Sequence, residues 1–184
     1  MRDFDNFEYA LKEVLGIEGG FVNDKDDSGG KTNYGITESL AKQYGYDIET
    51  LTKQEAISIY YNEFWEKYKL DLIQNKDISK EVFEFGINAG MKIAIKTLQR
   101  AFNTLSQDIL VEDGSLGPKT ATKINSYHYP QSILKIQNIL QGYYYILLAE
   151  DNYTELVDFK NHKETKGGKN KKFVRGWIEK RVKV

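Results

Sequence analysis

Glu18 and Asp27 are the residues in this chain best suited to chemistry. They stand nine positions apart in the stretch EGGFVNDKDDSGGKTNYGIT, residues 18–37. Hydrolysis of a glycosidic bond needs two acidic roles. One carboxylic acid protonates the leaving oxygen, and a second carboxylate activates water or stabilises an oxocarbenium-like transition state. A glutamate at a helix lip, beside aromatic residues and with few cations nearby, can be desolvated enough to keep its proton near neutral pH. Asp27 can return opposite Glu18 if the stretch folds back, and Gly29 and Gly30 make such a turn easy. Asp24 and Asp26 are read first as turn formers.

Other chemistries lack their residues. The D-x-D-D-S-G-G spacing is not the twelve-residue EF-hand loop, and no bidentate glutamate closes it. His128 and His162 are isolated in turn-like sequence, and there is no HExxH. No G-x-S-x-G elbow, Walker motif or dinucleotide fingerprint is present. No metal or cofactor is expected, because protonation and charge stabilisation suffice for the hydrolysis. Tyr34, Trp65, Tyr68 and the run Tyr143-Tyr144-Tyr145 could stack on sugar rings, although for most of them a place in the core is the simpler reading.

The elements that must position these acids are helical. Phe4, Phe7, Leu11, Val14 and Leu15 recur at helical spacing, which predicts a helix over about 3–16 that places Glu18 at its lip. The glycine-rich stretch suits neither helix nor long strand. Thr37 caps a short helix stopped by Gly45. Thr52 and Glu55 form a capping box before a helix ending in FWEKYK. Asp77 or Ser79 is expected to start the next helix, with Gly86 and Gly90 allowing close packing or a break. Ile93, Ala94, Thr97, Leu98, Ala101, Phe102 and Leu105 predict an amphipathic helix. VEDGSLGP is a turn region, and Pro118 and Pro130 each open a helix, the second running to about Glu150. Asn161 to Lys172 reads as an exposed loop, followed by a last helix carrying Phe173, Trp177 and Ile178. The expected fold is mainly α, with at most a small β-hairpin near residues 21–36. A soft boundary near Gly90 divides it into 1–90 and 91–184, packed as one unit.

Composition narrows the partners. The chain has 184 residues, 40% hydrophobic, with a formal net charge of −1, so no overall pull toward nucleic acid or membrane is implied. Ten Lys or Arg fall between Lys160 and Val184, against only Glu164 and Glu179, a distribution that suits a solvated face. No cysteine is present, which removes disulfides and thiolate sites. The first residues, MRDFDNFEYALKEVLG, lack the apolar core of a secretory signal, and no apolar run approaches a membrane span. Synthesis in the cytoplasm, with release by a holin or another export route, is the corresponding expectation for a wall-active protein.

The run E-G-G-F-V-N-D-x-x-D-x-G-G-x-T-N-Y-G-I-T resembles the signature of glycoside hydrolase family 108. These are lysozyme-like N-acetylmuramidases of phage endolysins and of bacterial secretion activator proteins. FEFGINAGMKIAIKTLQRAFN resembles the family's second block, VEDGSLGPKT the segment opening its peptidoglycan-binding-like half, and FVRGWIEKR its terminal motif. The resemblance implies a lysozyme-like helical fold that cleaves the β-1,4 bond between N-acetylmuramic acid and N-acetylglucosamine. It implies Glu18 as the catalytic acid and Asp27 as the second acid. Thr32 or Asn33 would hold the attacking water, and Phe21, Asn33, Tyr34 and Asn88 would contact substrate. Phe21 stands where many relatives carry tyrosine, and Lys25 where proline is common. The implied partner is the peptidoglycan glycan strand, met by a monomer. Inverting and retaining mechanisms stay open, as do a chitinase-like specificity and a non-catalytic peptidoglycan-binding accessory role.

Overall fold

The computed structural model describes residues 4–17, 21–23 and 31–149. The expected last helix therefore lies outside the described residues. The chain forms two compact units, Met1–Asp71 and Leu72–Val184.

In the first unit, α1 (Phe4–Ile17) leads into a three-stranded antiparallel sheet in the order β1-β2-β3. The strands are Phe21–Asn23, Lys31–Asn33 and Ile36–Thr37. The sheet is one short strand larger than a hairpin. Thr37 then caps α2 (Glu38–Gln43), its hydroxyl accepting from the Leu40 N–H. The capping box forms as the sequence predicts. Thr52 accepts from the Glu55 N–H, Glu55 accepts from the Thr52 N–H, and α3 (Lys53–Tyr60) begins. The Thr52 N–H and the Thr52 hydroxyl both donate to the Glu55 carboxylate, which holds it below its ordinary pKa.

The end of α3 departs from expectation. FWEKYK reads as the tail of an ordinary helix, but Tyr61–Glu66 is a π-helical turn. Trp65 within it is fully buried, its ring 5.4 Å from that of Phe7 on α1. Phe7 also meets Tyr61 edge-on at 5.1 Å. Trp65 is thus core, and of its neighbours Tyr68 is only half-buried.

In the second unit, α5 (Met91–Leu105) packs against both α4 (Lys76–Ala89) and α7 (Pro130–Ala149). The start of α4 also differs from expectation. Asn75 caps it, Oδ1 accepting from the N–H groups of Asp77 and Ile78, so neither Asp77 nor Ser79 is the cap. Phe85 lies between two rings of α7, 5.3 Å from Tyr144 and 5.8 Å from Tyr145. Those two tyrosines are therefore core, while Tyr143 beside them is exposed. The helices α4 and α5 meet at Gly90, whose φ is 97°. A Cβ at Gly86 would fall 2.1 Å from Met91 Sδ, so the packing role expected for the FGINAG glycines is met there. α6 (Pro118–Ser126) carries Asn125, which donates to the Leu72 carbonyl and accepts from the Gln74 N–H.

Candidate active site

The stretch of sequence that carries the two acids, residues 18–37, also supplies the three strands of the small sheet. α1 ends at Ile17, one residue before Glu18. Glu18 and Asp27 themselves lie outside the described residues, as do Asp24 and Asp26. Phe21 is described through its backbone, which pairs with Asn33.

The middle strand presents the remaining candidates. Thr32 stands opposite Val22 on one side and Thr37 on the other. Side chains alternate across a strand, so Thr32 faces away from the side taken by Asn33. Thr32 is half-buried, whereas Asn33 is buried. Asn33 Nδ2 donates to the Ile48 carbonyl at 3.0 Å and to the Leu51 carbonyl at 3.4 Å. Its amide therefore fastens β2 to the segment before α3. Loss of that amide leaves buried carbonyls without a donor.

Tyr34 and Gly35 form the two-residue turn between β2 and β3, with φ of 52° and 73°. Two successive left-handed residues match the twist of an antiparallel hairpin. Glycine takes that conformation freely, but a tyrosine does so at a cost and must be held there. The hold comes from Tyr60, buried at the end of α3, whose hydroxyl donates to the Tyr34 carbonyl at 2.9 Å. Sequence reasoning singles out Tyr34 and misses Tyr60. The two are 26 positions apart, and nothing local in YYNEF marks one tyrosine as an anchor.

Charges beside the sheet are paired at the surface. Lys31 meets Glu49 at 2.5 Å, and that carboxylate raises the lysine pKa. Farther along the unit, Glu63 in the π-turn accepts from Lys67 at 2.7 Å and from the Tyr44 hydroxyl at 2.8 Å. Those donors, Lys67 first, lower the Glu63 pKa, while burial and Glu63 push Tyr44 up to about 12. Asn88 belongs to the second unit. It is exposed near the end of α4 and donates to the Glu84 carbonyl at 2.7 Å. Among the described residues no group of three or more His, Asp or Glu is placed to hold a metal ion. No described helix is long and apolar enough to cross a membrane.

Residues 11–90 match the glycosyl hydrolase 108 family, and residues 93–182 match the predicted peptidoglycan domain family. The chain carries a glycoside hydrolase family 108 domain followed by a predicted peptidoglycan domain. The family 108 match takes in the second half of α1, the sheet and the stretch that carries Glu18 and Asp27. The match also takes in α4, which lies in the second compact unit. The solved structure of Brucella abortus SagA superposes with a TM-score of 0.67, covering 98% of this chain and 97% of that one at 21% sequence identity. That likeness shows the fold. No curated protein matches the chain. The two family domains make it a glycoside hydrolase directed at peptidoglycan. The helical fold with its small sheet is of the lysozyme-like, mainly α kind.

Proposed function

We propose that this protein is an N-acetylmuramidase, cleaving the β-1,4 bond between N-acetylmuramic acid and N-acetylglucosamine. The observation that supports this best is the order of the two matches. A glycosyl hydrolase domain that contains Glu18 is followed at once by a peptidoglycan domain.

Glu18 is the general acid. It protonates the glycosidic oxygen as the bond to the anomeric carbon breaks, and charge builds on the sugar ring. Asp27 is the second carboxylate, either activating water or supporting the cation. The Thr32 hydroxyl, half-buried on the middle strand, orients the attacking water. Phe21, Tyr34 and Asn88 contact the glycan. Asn33 serves the site by fastening β2 to its support. A separation of about 6.5–9.5 Å between the two carboxyl groups corresponds to inversion, and about 5–5.5 Å to retention.

The test is Glu18→Gln, which keeps the shape and removes the proton. The variant should clear purified cell walls at least about a hundredfold more slowly, the usual size of a general-acid contribution. Clearance at the wild-type rate would remove Glu18 from the role. Reducing ends released from the wall should carry muramic acid. Glucosamine ends, or faster cleavage of chitin, would assign another specificity.

A further inference from the structure

The first unit holds a cleft of about 790 Å³ that none of the roles above uses. One wall is α1, the other is α3 with the π-helical turn. Its floor is apolar and built from Leu11, Leu15 and Ile57. Its rims are polar, with Glu8 and Lys12 on α1 and Lys53 and Asn62 across from them.

The charges on the rims are unusual in two ways. Glu8, Lys12 and Lys53 are all exposed, and none takes part in an ion pair or hydrogen bond among the described residues. Lys53 is also the first residue of α3. A cation there opposes the helix dipole and gives the helix nothing. The dipole and two lysines instead add up to a positive rim over an apolar floor, with one carboxylate beside it. π-turns like the one forming part of the wall recur at functional sites.

We infer that this cleft binds the peptide stem of peptidoglycan. The inference rests on the hydrolase reading and adds a second part of the substrate to it. A γ-linked glutamate and a terminal alanine of the stem each carry a free carboxylate. Lys12 and Lys53 meet these. The diamino acid of the stem carries an amine, which Glu8 meets, and the alanine methyls lie on Leu11, Leu15 and Ile57. A bare glycan has no amine and carries only the lactyl carboxylate of each muramic acid, so a rim with two cations and one anion favours the peptide. α1, which forms one wall of the cleft, ends at Ile17, and Glu18 is the next residue in the sequence.

Titration of the full chain with a synthetic stem tetrapeptide, followed by NMR, tests this without catalysis. Saturable shifts at the amides of Lys12, Lys53 and Ile57 are expected. Binding should weaken about tenfold in the double variant Lys12→Glu, Lys53→Glu, the size of two reversed surface charges. Lys42→Glu, an exposed reversal on α2, should bind like the wild type. Absence of saturable shifts at millimolar peptide, or equal binding by the double variant, overturns the inference.

The rate ratio between intact wall and wall stripped of its peptides by an amidase is the catalytic counterpart. The ratio should fall about tenfold in the double variant. An unchanged ratio overturns the stem-peptide cleft and leaves the hydrolase standing. No cleavage of either wall by the wild type overturns the hydrolase, and the peptide titration then decides the cleft alone.

Discussion

In the first unit one buried amide, Asn33, reaches the carbonyls of Ile48 and Leu51. In the second, two amides hold a whole connection. Asn103 both donates to and accepts from the backbone of Leu110. Gln99 accepts from the Gly114 N–H and donates to Asp113 and to the Ser115 carbonyl. Both units use side-chain amides to fix irregular backbone, but what stands behind them differs. The sheet has three strands of two or three residues and a left-handed tyrosine. The amides of α5 project from a fifteen-residue helix packed on two others. The candidate site thus sits where regular structure is thin and each polar tie matters. The second unit relies on helix packing.

The contrast is broken most directly in the helical core. Phe85→Ala removes a fully buried ring that touches two others. It should destabilise the second unit by about 3–5 kcal/mol, measured by denaturant unfolding. A loss below about 1 kcal/mol would mean that packing is not what holds this unit.

Asn33→Ala tests the single tie. It strands the Ile48 and Leu51 carbonyls and should cost about 1–3 kcal/mol. The loss should be read from amide exchange of β2 and of the segment before α3. Unchanged protection there would show that the sheet does not depend on the amide.

Tyr60→Phe removes one hydroxyl and keeps the buried ring. Its stability cost should be about 1 kcal/mol. Wall clearing should nevertheless fall several-fold, because the turn carrying Tyr34 loses the bond that holds it left-handed. If stability and clearing fall together only by the amount expected from unfolding, the Tyr34 turn has no part in the site.

Local signals in the sequence carried most of the helices. The Thr52–Glu55 box, Thr37, Pro118 and the α5 stripe are written within a few residues, and each appears where the sequence predicts it. Asn75 was missed because two equally good caps follow it within four residues. The π-turn leaves no composition signature, since it is a slip of hydrogen bonding by one residue. Trp65 shows the limit for aromatics, because sequence does not say whether a ring faces a groove or Phe7. At the candidate site, the adjacency of Thr32, Asn33 and Tyr34 was legible. Their supports were not, because Asn33 and Tyr34 are held across 15 to 26 positions.

The smallest effect expected distinguishes the two units by how each holds a carboxylate. Asp113 is held by neutral donors, the Gln99 amide first and then the Ser115 N–H, and its pKa is lowered. Glu63 is also lowered, but its first donor is the charged Lys67, with the Tyr44 hydroxyl second. A lowered carboxylate contributes stability that is fully present above its unfolded value, and the contribution is lost as pH falls through the folded value. Both groups should therefore weaken their units only in acid, and for the exposed Asp113 the effect is small. Salt separates them. At about 1 M the screening length is about 3 Å, so the Lys67 contribution fades while hydrogen bonds from neutral groups persist. Carboxyl-carbon NMR titrations at low and high salt should show Glu63 moving up toward its ordinary value and Asp113 staying in place. Equal movement of the two would mean that Asp113 also depends on charge, with Lys96 as the cation in question.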